Sequence, residues 1–245
     1  MGNIFHILYK ILRRGIDKVT KGQKTREILI SIAKEEFKEN GYNNTSLKSI
    51  ALRAGVSPSL YSYHFQNLQS LVEILTRNFR NRIWEAISKK NISNPMIKLF
   101  AYDIFVDIAT YFTPENRRFK SETVFSHQMS MYSVHSLAGE TQEVSDDTYY
   151  SILEYYNVNL SYELLRRLRI QEAAGRRELF LKYYNDSMYE PLTDDEWFNL
   201  SVDISYCTIT TVFRFSGIAT SEIDKCFVEA FNYIKDVDML DFVLL

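Results

Sequence analysis

Apolar residues in the N-terminal third of the chain recur every three or four positions, which is the spacing of helices that bury one face. In the first such segment, residues 23–40, the buried stripe is predicted to consist of Ile28, Leu29, Ile32, Ala33 and Phe37. Gly41 follows in the position where glycine commonly ends a helix. No run of alternating apolar and polar residues is sustained along the chain. We therefore predict an all-α protein.

Two short helices are predicted next, in residues 45–65. Thr45 is expected to cap the second helix and Gly55 to end it, while Ser57 caps the third helix with Pro58 in its first turn. Only the turn AGVS separates the two helices. A helix-turn-helix of this spacing can place its second helix in the major groove of DNA. An ordinary helical hairpin has the same spacing, so the spacing alone leaves both possibilities open.

The rest of the chain is predicted to be helical as well. Asn67 is expected to cap a fourth helix, and the segment NISNP at 91–95 marks its end. Gly, Pro, Thr and Ser then separate further segments of helical spacing. We place these helices at 95–112, 115–137, 145–173, 176–189, 194–215 and 221–237, which makes about ten helices in all.

Charge is unevenly distributed along the chain, although its net charge is only −2. Residues 1–90 contain 16 Lys or Arg against 7 Asp or Glu, whereas residues 91–245 contain 13 against 24. A basic unit favours binding to a polyanion, and an acidic unit is repelled by the same partner. We therefore expect the first part of the chain to face DNA and the second part to point away from it.

Other features narrow the function. The two cysteines, Cys207 and Cys226, lack the paired spacing of a zinc site and fit a reducing cytoplasm. The chain has no apolar run long enough to span a membrane. It also lacks a phosphate-binding glycine loop, a nucleophile elbow and a paired-histidine zinc motif. We therefore predict a cytoplasmic protein that is not an enzyme and needs no metal or cofactor.

Residues 1–22 form an amphipathic basic extension. Apolar side chains from Ile4 to Val19 recur at helical spacing, and Lys10, Arg13, Arg14 and Lys18 lie mostly on the other face. Three interpretations remain open on sequence grounds. The extension could pack on its own protein, lie on DNA as a basic arm, or contact a membrane surface.

Residues 26–65, REILISIAKEEFKENGYNNTSLKSIALRAGVSPSLYSYHF, resemble the N-terminal domain of the TetR family of bacterial transcriptional regulators. The resemblance covers about residues 24–75 and is carried by Ala33, Phe37, Gly41, Tyr42, Thr45, Ile50, Ala51, Ala54, Gly55, Val56, Ser57, His64 and Phe65. It implies a homodimer that binds a palindromic operator in double-stranded DNA, usually as a repressor. It also implies release when a small-molecule effector enters an all-helical C-terminal domain.

The resemblance suggests a division of the chain. Residues 1–22 would be the extension, 23–70 a three-helix helix-turn-helix domain, 71–93 a connecting helix, and 94–245 a larger helical domain for ligand binding and dimerisation. An alternative is a helical adaptor or membrane-associated protein of the same fold that has weakened or lost operator binding. Ser62, Leu68 and the amphipathic extension motivate that alternative.

The family's DNA contacts map onto the second and third predicted helices, and Lys24 and Arg26 of the first helix are added as further cations. The candidate DNA-binding residues are Lys24, Arg26, Thr45, Lys48, Ser57, Ser59, Leu60, Tyr61, Ser62, Tyr63 and His64. Two positions depart from the family pattern: Ser62 replaces a phosphate-contacting Tyr, and Leu68 replaces a Lys. Loss of the Lys should flatten the salt dependence of DNA binding by about one unit per subunit. We expect Tyr61, Lys24 and Arg26 to compensate.

The C-terminal region is rich in aromatic residues that would suit an aromatic or amphipathic effector. The candidate ligand-binding residues are Tyr111, His127, Met131, Tyr132, His135 and Tyr155. Two apolar stripes near the C-terminus suggest a dimer interface formed by Trp197, Leu200, Ile204, Thr208, Thr211, Phe227 and Phe231. Packing within one chain would explain these stripes equally well, and only the resemblance favours the interface.

Overall fold

Helices account for most of the residues that the structure, a computed structural model, describes, namely 21–126, 146–237, 242, 244 and 245. In chain order the ten helices are α1 (Lys21–Asn40), α2 (Leu47–Arg53), α3 (Pro58–His64), α4 (Leu68–Ser88), α5 (Pro95–Tyr111), α6 (Pro114–Ser126), α7 (Asp146–Tyr155), α8 (Tyr162–Asp186), α9 (Asp194–Phe215) and α10 (Thr220–Ile234). These ranges contain no strand, which confirms the predicted all-α class. None of their helices combines the length and apolar composition needed to cross a bilayer.

Helices α1, α2 and α3 form the N-terminal three-helix unit. Ser57 caps α3 and Pro58 occupies its first turn, as predicted. The predicted cap of α2 was wrong by one residue, because Ser46 caps α2 through a reciprocal pair of hydrogen bonds with Ser49. The Thr45 hydroxyl instead donates to the Gly41 carbonyl oxygen at 2.7 Å, and its side chain is buried.

Helix α4 runs from the three-helix unit into the larger C-terminal part of the molecule. Asn67 caps it, as predicted, and its side chain accepts a hydrogen bond from the backbone N–H of Ser70. One face of α4 is buried along its whole length by Leu71, Val72, Leu75, Phe79, Ile83 and Ile87. This face packs against α1 at one end and along α5 at the other. The same helix therefore contributes to both parts of the hydrophobic core.

Helix α5 is the centre of the C-terminal part. Nearly all of its side chains are buried, and it contacts α4, α6, α7, α9 and α10. Helices α8 and α9 pack against each other on one side of it. A helix that is apolar all round is expected at such a position, because neighbours cover every face. Asp103 and Asp107 are the exceptions, since both carboxylates are buried in this apolar helix.

Two predicted helix boundaries were wrong. The helix predicted at 145–173 is interrupted after α7, where Asn157 adopts a positive φ of 54° and Ser161 then caps α8. Helix α8 continues through the predicted break at Gly175. A Cβ atom at Gly175 would lie 3.7 Å from the Thr208 side chain, so this glycine lies where α8 and α9 pack closely rather than at a helix end.

Candidate nucleic-acid interface and an adjoining cavity

The turn between α2 and α3 holds the two helices in a fixed relation. Gly55 has a φ of +65°, which is the left-handed conformation that glycine adopts most readily. The Val56 N–H donates to the Ala51 carbonyl oxygen at 3.0 Å and closes the turn. Buried Ile50 and Phe65 anchor α2 and the end of α3 in the core. The opposite face of α3 is therefore left on the surface.

The exposed face of α3 consists of short polar side chains and one aromatic ring. Ser57, Ser59 and Ser62 are exposed, and Tyr63 is 81% exposed. The hydroxyls of Ser57 and Ser59 lie 2.9 Å apart, while the Ser62 hydroxyl donates to the Pro58 carbonyl oxygen at 3.1 Å. Leu60 is 37% exposed beside them. This face offers hydroxyls and apolar surface but no charge.

Tyr61 does not belong to this face. Its side chain is fully buried, its ring lies 5.3 Å from the ring of Phe65, and burial raises the pKa of its phenol. Residues four apart lie on one side of a helix, so Phe65 and Tyr61 turn inward together. The expectation that Tyr61 compensates for Ser62 was therefore wrong, and buried Thr45 is not available as a surface contact either.

The surrounding cations differ in their availability. Lys24 and Lys48 are exposed. Arg26 is partly buried, with its guanidinium 5.5 Å from the centre of the Phe65 ring. His64 is partly buried and packs edge-on against Tyr63 at 5.1 Å. Leu68, the residue that departs from the family's Lys, packs partly buried against the core.

Arg53, at the end of α2, is held by acidic side chains of α1. Its guanidinium forms ion pairs with Glu35 at 2.8 Å, with Glu36 at 3.0 Å and with Glu39 at 2.7 Å. The hydrogen bonds to Glu39 and then Glu36 raise the pKa of Arg53 and lock it in the charged form. Three carboxylates around one guanidinium leave a local excess of negative charge. Arg53 is therefore poorly placed to attract a phosphate.

The N-terminal helices are similar in sequence to known regulatory proteins. Residues 29–75 match the family model of bacterial regulatory proteins, tetR family. Residues 29–75 thus form a domain that is similar to the DNA-binding domain of the tetR family, which we call the tetR domain. The HTH-type transcriptional regulator UidR from Escherichia coli (strain K12) is 32% identical to the chain over 56 residues, and UidR from Shigella flexneri matches equally well. The matched part of the tetR domain covers 23% of this chain and 29% of the length of these curated relatives.

The similarity in fold extends beyond the tetR domain. The crystal structure of RolR in complex with its ligand resorcinol superposes with a TM-score of 0.54 over 84% of this chain and 94% of RolR. The two sequences are 12% identical in that alignment, so the similarity concerns the fold. It includes the helical part that follows the tetR domain.

That helical part contains a cavity between α4, α5, α6 and α8. Its volume of about 70 Å³ is several times the roughly 10–15 Å³ that one water needs. The cavity is lined by Val72, Thr76, Phe79, Arg80, Val106, Asp107, Thr110, Tyr111, Phe119, Lys120, Thr123, Arg176, Arg177, Phe180 and Leu244. Of the six residues predicted to bind ligand, the structure places Tyr111 in this lining.

The other predicted ligand residues are not part of the cavity as described. Tyr155 is 55% exposed at the end of α7 and does not line it. His127, Met131, Tyr132 and His135 lie outside the residues that the structure describes. The charged lining residues were missed at the sequence level. The available signal was Asp103 and Asp107, two acids four residues apart in an otherwise apolar helix.

A buried ionic network adjoins the cavity. The Arg176 guanidinium lies 3.1 Å from Asp103, 3.5 Å from Asp107 and 3.4 Å from Glu172. The Tyr149 hydroxyl donates to Glu172 at 2.8 Å. Burial raises the pKa of Asp107, and it raises the pKa of Glu172 to about 7; Arg176 opposes both shifts. Arg176 therefore holds these carboxylates together at one side of the cavity.

Helix α6 connects the cavity to the tetR domain. Lys120 and Thr123 line the cavity, while Arg118 on the same helix donates to the carbonyl oxygens of Phe37 and Lys38 at 3.2 and 2.6 Å. Those carbonyls belong to the last turn of α1. The ring of Phe119 lines the cavity and lies 5.1 Å from that of Phe37.

Glu122 makes a second contact from α6 to the tetR domain. Its carboxylate accepts hydrogen bonds from the backbone N–H of Tyr42 at 2.5 Å and of Asn43 at 3.2 Å. A Cβ atom at Gly41 would lie only 2.8 Å from this carboxylate, and Gly41 has a φ of +81°. Both the backbone conformation and the close approach of the carboxylate therefore favour glycine at position 41.

The predicted dimer residues divide into two groups. Trp197, Ile204, Thr208 and Phe227 are buried within the protomer, so they pack its own core and do not present a surface. Leu200, Thr211 and Phe231 are partly exposed. The surface stripe of α9 runs through Asn199, Asp203, Cys207 and Arg214, and that of α10 through Ser221, Lys225, Val228 and Asn232. We call these two stripes together the α9–α10 face.

Proposed function

We propose that the protein is a transcriptional regulator that represses by binding a palindromic operator as a homodimer and is released by a small-molecule effector. The observation that carries the proposal is the face of α3 that is exposed among the described residues, within a tetR domain. In this proposal residues 23–70 bind DNA, residues 71–93 connect, and residues 94–245 bind the effector and form the dimer. The extension 1–22 lies outside the described residues apart from its last two positions.

The chemistry of α3 suits the reading of base edges. Serine hydroxyls such as that of Ser59 both donate and accept hydrogen bonds, and the exposed surface of Leu60 suits the methyl group of thymine. Tyr63 projects furthest from the helix and adds a phenol and a ring. Phosphate contacts would come from Lys24 and Lys48, which flank this face. Specificity and charge are thus supplied by different side chains.

Dimer formation through the α9–α10 face would place two copies of α3 on one side of the assembly. Binding in successive major grooves requires the two helices to lie about one DNA turn, roughly 34 Å, apart. A palindromic operator follows because a two-fold protein presents the same surface to each half-site. The acidic composition of residues 91–245 favours an orientation in which this part faces away from the phosphates.

The contacts of α6 support release by an effector. A molecule bound in the cavity touches the helix that holds the end of α1 and the turn after it. A ligand changes DNA affinity only if it binds one arrangement of these helices better than another. Displacement of α6 would move the tetR domain through Arg118 and Glu122. The spacing of the two α3 helices in a dimer would then no longer match the operator.

Selection of bound fragments from genomic DNA tests the proposed function. We expect the full chain to enrich fragments that share one palindrome and to bind them in a salt-sensitive manner. Tyr63→Ala should weaken binding to the selected palindrome by about tenfold or more while leaving binding to unrelated DNA nearly unchanged, since one base contact contributes ~1–3 kcal/mol. Tyr189→Ala, which removes a Tyr of similar exposure from the end of α8, is the matched control.

Two outcomes would contradict the proposal. Enrichment of no fragment at low salt would favour the adaptor alternative, in which the fold is kept without operator binding. Equal effects of Tyr63→Ala and Tyr189→Ala would show that α3 does not read the DNA. Vesicle binding by the full chain would then be the next measurement, because residues 1–22 carry the amphipathic pattern.

A further inference from the structure

The cavity contains a cation whose charge is not matched in the described part of the chain. Lys120 lines the cavity, and within residues 21–126 and 146–237 its ammonium makes no hydrogen bond or ion pair. The nearest carboxylate in the lining, Asp107, is occupied by the Ser205 hydroxyl at 2.7 Å and by Arg176 at 3.5 Å. Lys120 is partly buried, and an unpaired ammonium that lines a cavity is a candidate for binding an anionic ligand.

The charges of two cations and one acid act on Lys120. Arg80 from α4 and Arg176 from α8 face it across the cavity, and Asp107 from α5 is the acidic group among its neighbours. Burial, together with the charges of Arg80 and Arg176, lowers the pKa of Lys120 to about 8, and Asp107 opposes this shift. Lys120 is thus still protonated at neutral pH, although the cavity provides little to stabilise that charge.

The remaining walls suit a flat apolar group. Phe79, Phe119 and Phe180 contribute rings, and Tyr111 stacks on Phe180 with 4.6 Å between ring centres and 3° between planes. Thr76, Thr110 and Thr123 add hydroxyls to the lining. The volume of about 70 Å³ favours a small molecule over a large drug-like compound.

We propose that this cavity binds a small aromatic acid, a single-ring carboxylate or phosphate ester, whose anionic group pairs with Lys120 while its ring lies among Phe79, Phe119 and Phe180. A cationic ligand would be repelled by Lys120, and a neutral ligand would leave the Lys120 charge unmatched. The assignment of this molecule as the effector rests on the proposed function. The charge class of the ligand does not.

Titration calorimetry with four matched probes tests the proposal on the full chain. The probes are benzoate and phenyl phosphate as anions, benzamide as a neutral analogue and benzylamine as a cation. We expect at least one anion to bind about tenfold or more tightly than benzamide, since a hydrogen-bonded charge pair contributes more than a neutral hydrogen bond. The affinity of the anion should fall as the pH rises above about 8, because Lys120 then loses its proton.

Three variants assign the preference to Lys120. Lys120→Met should remove the preference for the anion and leave benzamide binding within about twofold. Lys120→Arg should retain the preference, which guards against a loss caused by misfolding. Lys89→Met removes the same charge from the exposed end of α4 and should behave as the unmodified chain. Thermal unfolding of each variant checks that the fold is kept.

Benzamide or benzylamine binding as tightly as the anions would overturn the proposal, and so would the absence of binding by every probe at millimolar concentration. An anion preference that survives Lys120→Met would overturn the role of Lys120. Titration of the selected DNA in the presence of the anion separates this inference from the proposed function. If the anion binds without changing the affinity for DNA, the ligand class is supported and the ligand is not the effector. If the protein does not bind DNA at all, the proposed function fails, but the calorimetric result on the ligand class still stands.

Discussion

At the scale of single residues, two aromatic side chains of α3 that are close in sequence have different roles: Tyr61 is buried and Tyr63 is exposed. The sequence Tyr61, Ser62, Tyr63 does not by itself state which phenol faces solvent. The phase of the helix decides it, because Phe65 packs in the core and Tyr61 lies one turn before it. This was inferable from the predicted burial of Phe65. Because of the resemblance to a family of DNA-binding proteins, both Tyr61 and Tyr63 were predicted to contact DNA.

Three carboxylates, those of Glu35, Glu36 and Glu39, surround the Arg53 guanidinium, and we call them the acidic cage. The spacing of these residues in the sequence does not predict it. Glu35 and Glu39 are four residues apart on α1, but their approach to Arg53 depends on how α1 and α2 pack. The three ion pairs join α1 to α2 and hold one positive charge away from the side that we propose to face DNA. This adds to the two departures from the family pattern, Ser62 and Leu68, which also reduce contacts to phosphate.

Opening this cage should strengthen binding to DNA. Glu39→Gln removes the carboxylate closest to Arg53 and frees part of its charge, so we expect tighter binding to unrelated DNA by a few-fold and a steeper salt dependence, by up to about one unit per subunit. Glu27→Gln removes an exposed carboxylate from the same helix and is the control. Equal effects of the two substitutions on a salt titration would show that only net charge matters and that Arg53 is not withheld.

At the scale of elements, the termini of short helices were easier to predict than the course of long ones. Ser57 with Pro58 and Asn67 are local signals that act within one turn, and the structure contains both caps. Gly175 is different, because its role depends on α9 lying across α8 at that point. A glycine that ends a helix and one that admits a neighbouring helix look the same in a sequence.

The link between α6 and the tetR domain is likewise a tertiary feature. Glu122 is one acid among many in the sequence, and Gly41 was predicted only as the end of α1. The structure brings the two together, so that the turn after α1 is held by a side chain eighty residues away. In the proposed function, this contact makes α6 the element through which a change in the cavity would reach the tetR domain.

Alanine substitutions at two glycines measure this contact. Gly41→Ala and Gly55→Ala both place an alanine at a positive φ, but only at Gly41 would the new Cβ meet another group, the Glu122 carboxylate. We expect each substitution to destabilise the fold by about 1–2 kcal/mol from backbone strain, and Gly41→Ala to cost about 1 kcal/mol more. Urea unfolding provides the measurement.

Removal of the carboxylate side chain completes the comparison. Glu122→Ala is expected to relieve the additional cost of Gly41→Ala in the double variant, while it should leave the cost of Gly55→Ala unchanged. If the two glycine substitutions cost the same, and Glu122→Ala does not distinguish them, the turn after α1 does not depend on α6. Coupling of the cavity to DNA would then require another route.

At the scale of the whole molecule, the pattern of apolar residues predicted a helical protein correctly but could not separate core from interface. The stripes of α9 and α10 are real, and most of their members pack inside the protomer. A buried side chain and an interface side chain have the same chemistry, so periodicity does not distinguish them. The charged residues at the cavity come from four different helices, so their proximity appears only in the folded structure. The one sign of it in the sequence is the pair of acids in the largely apolar α5.

Pairing of two chains through the α9–α10 face can be tested with a substitution at an exposed residue of α10. Val228 is 68% exposed in the middle of the α10 stripe, where an isolated apolar side chain would gain from being covered by a second copy. If two copies pair through this face, Val228→Glu places a carboxylate of each chain at the interface, where desolvation opposes association. We expect light scattering to show the mass of two chains for the unmodified protein and of one chain for Val228→Glu.

Val228→Glu should also lower the affinity for DNA. A dimer binds both half-sites of a palindrome at once, so its overall affinity exceeds that of one chain for one half-site. Val228→Glu should weaken binding to a full palindrome by about a hundredfold and leave binding to an isolated half-site unchanged. Ile170→Glu adds the same charge at a partly exposed apolar position of α8 and should preserve both the dimer and the palindrome affinity. A Val228→Glu protein that remains dimeric would exclude this face, and a monomer that retains full affinity for the palindrome would show that pairing does not contribute to operator recognition.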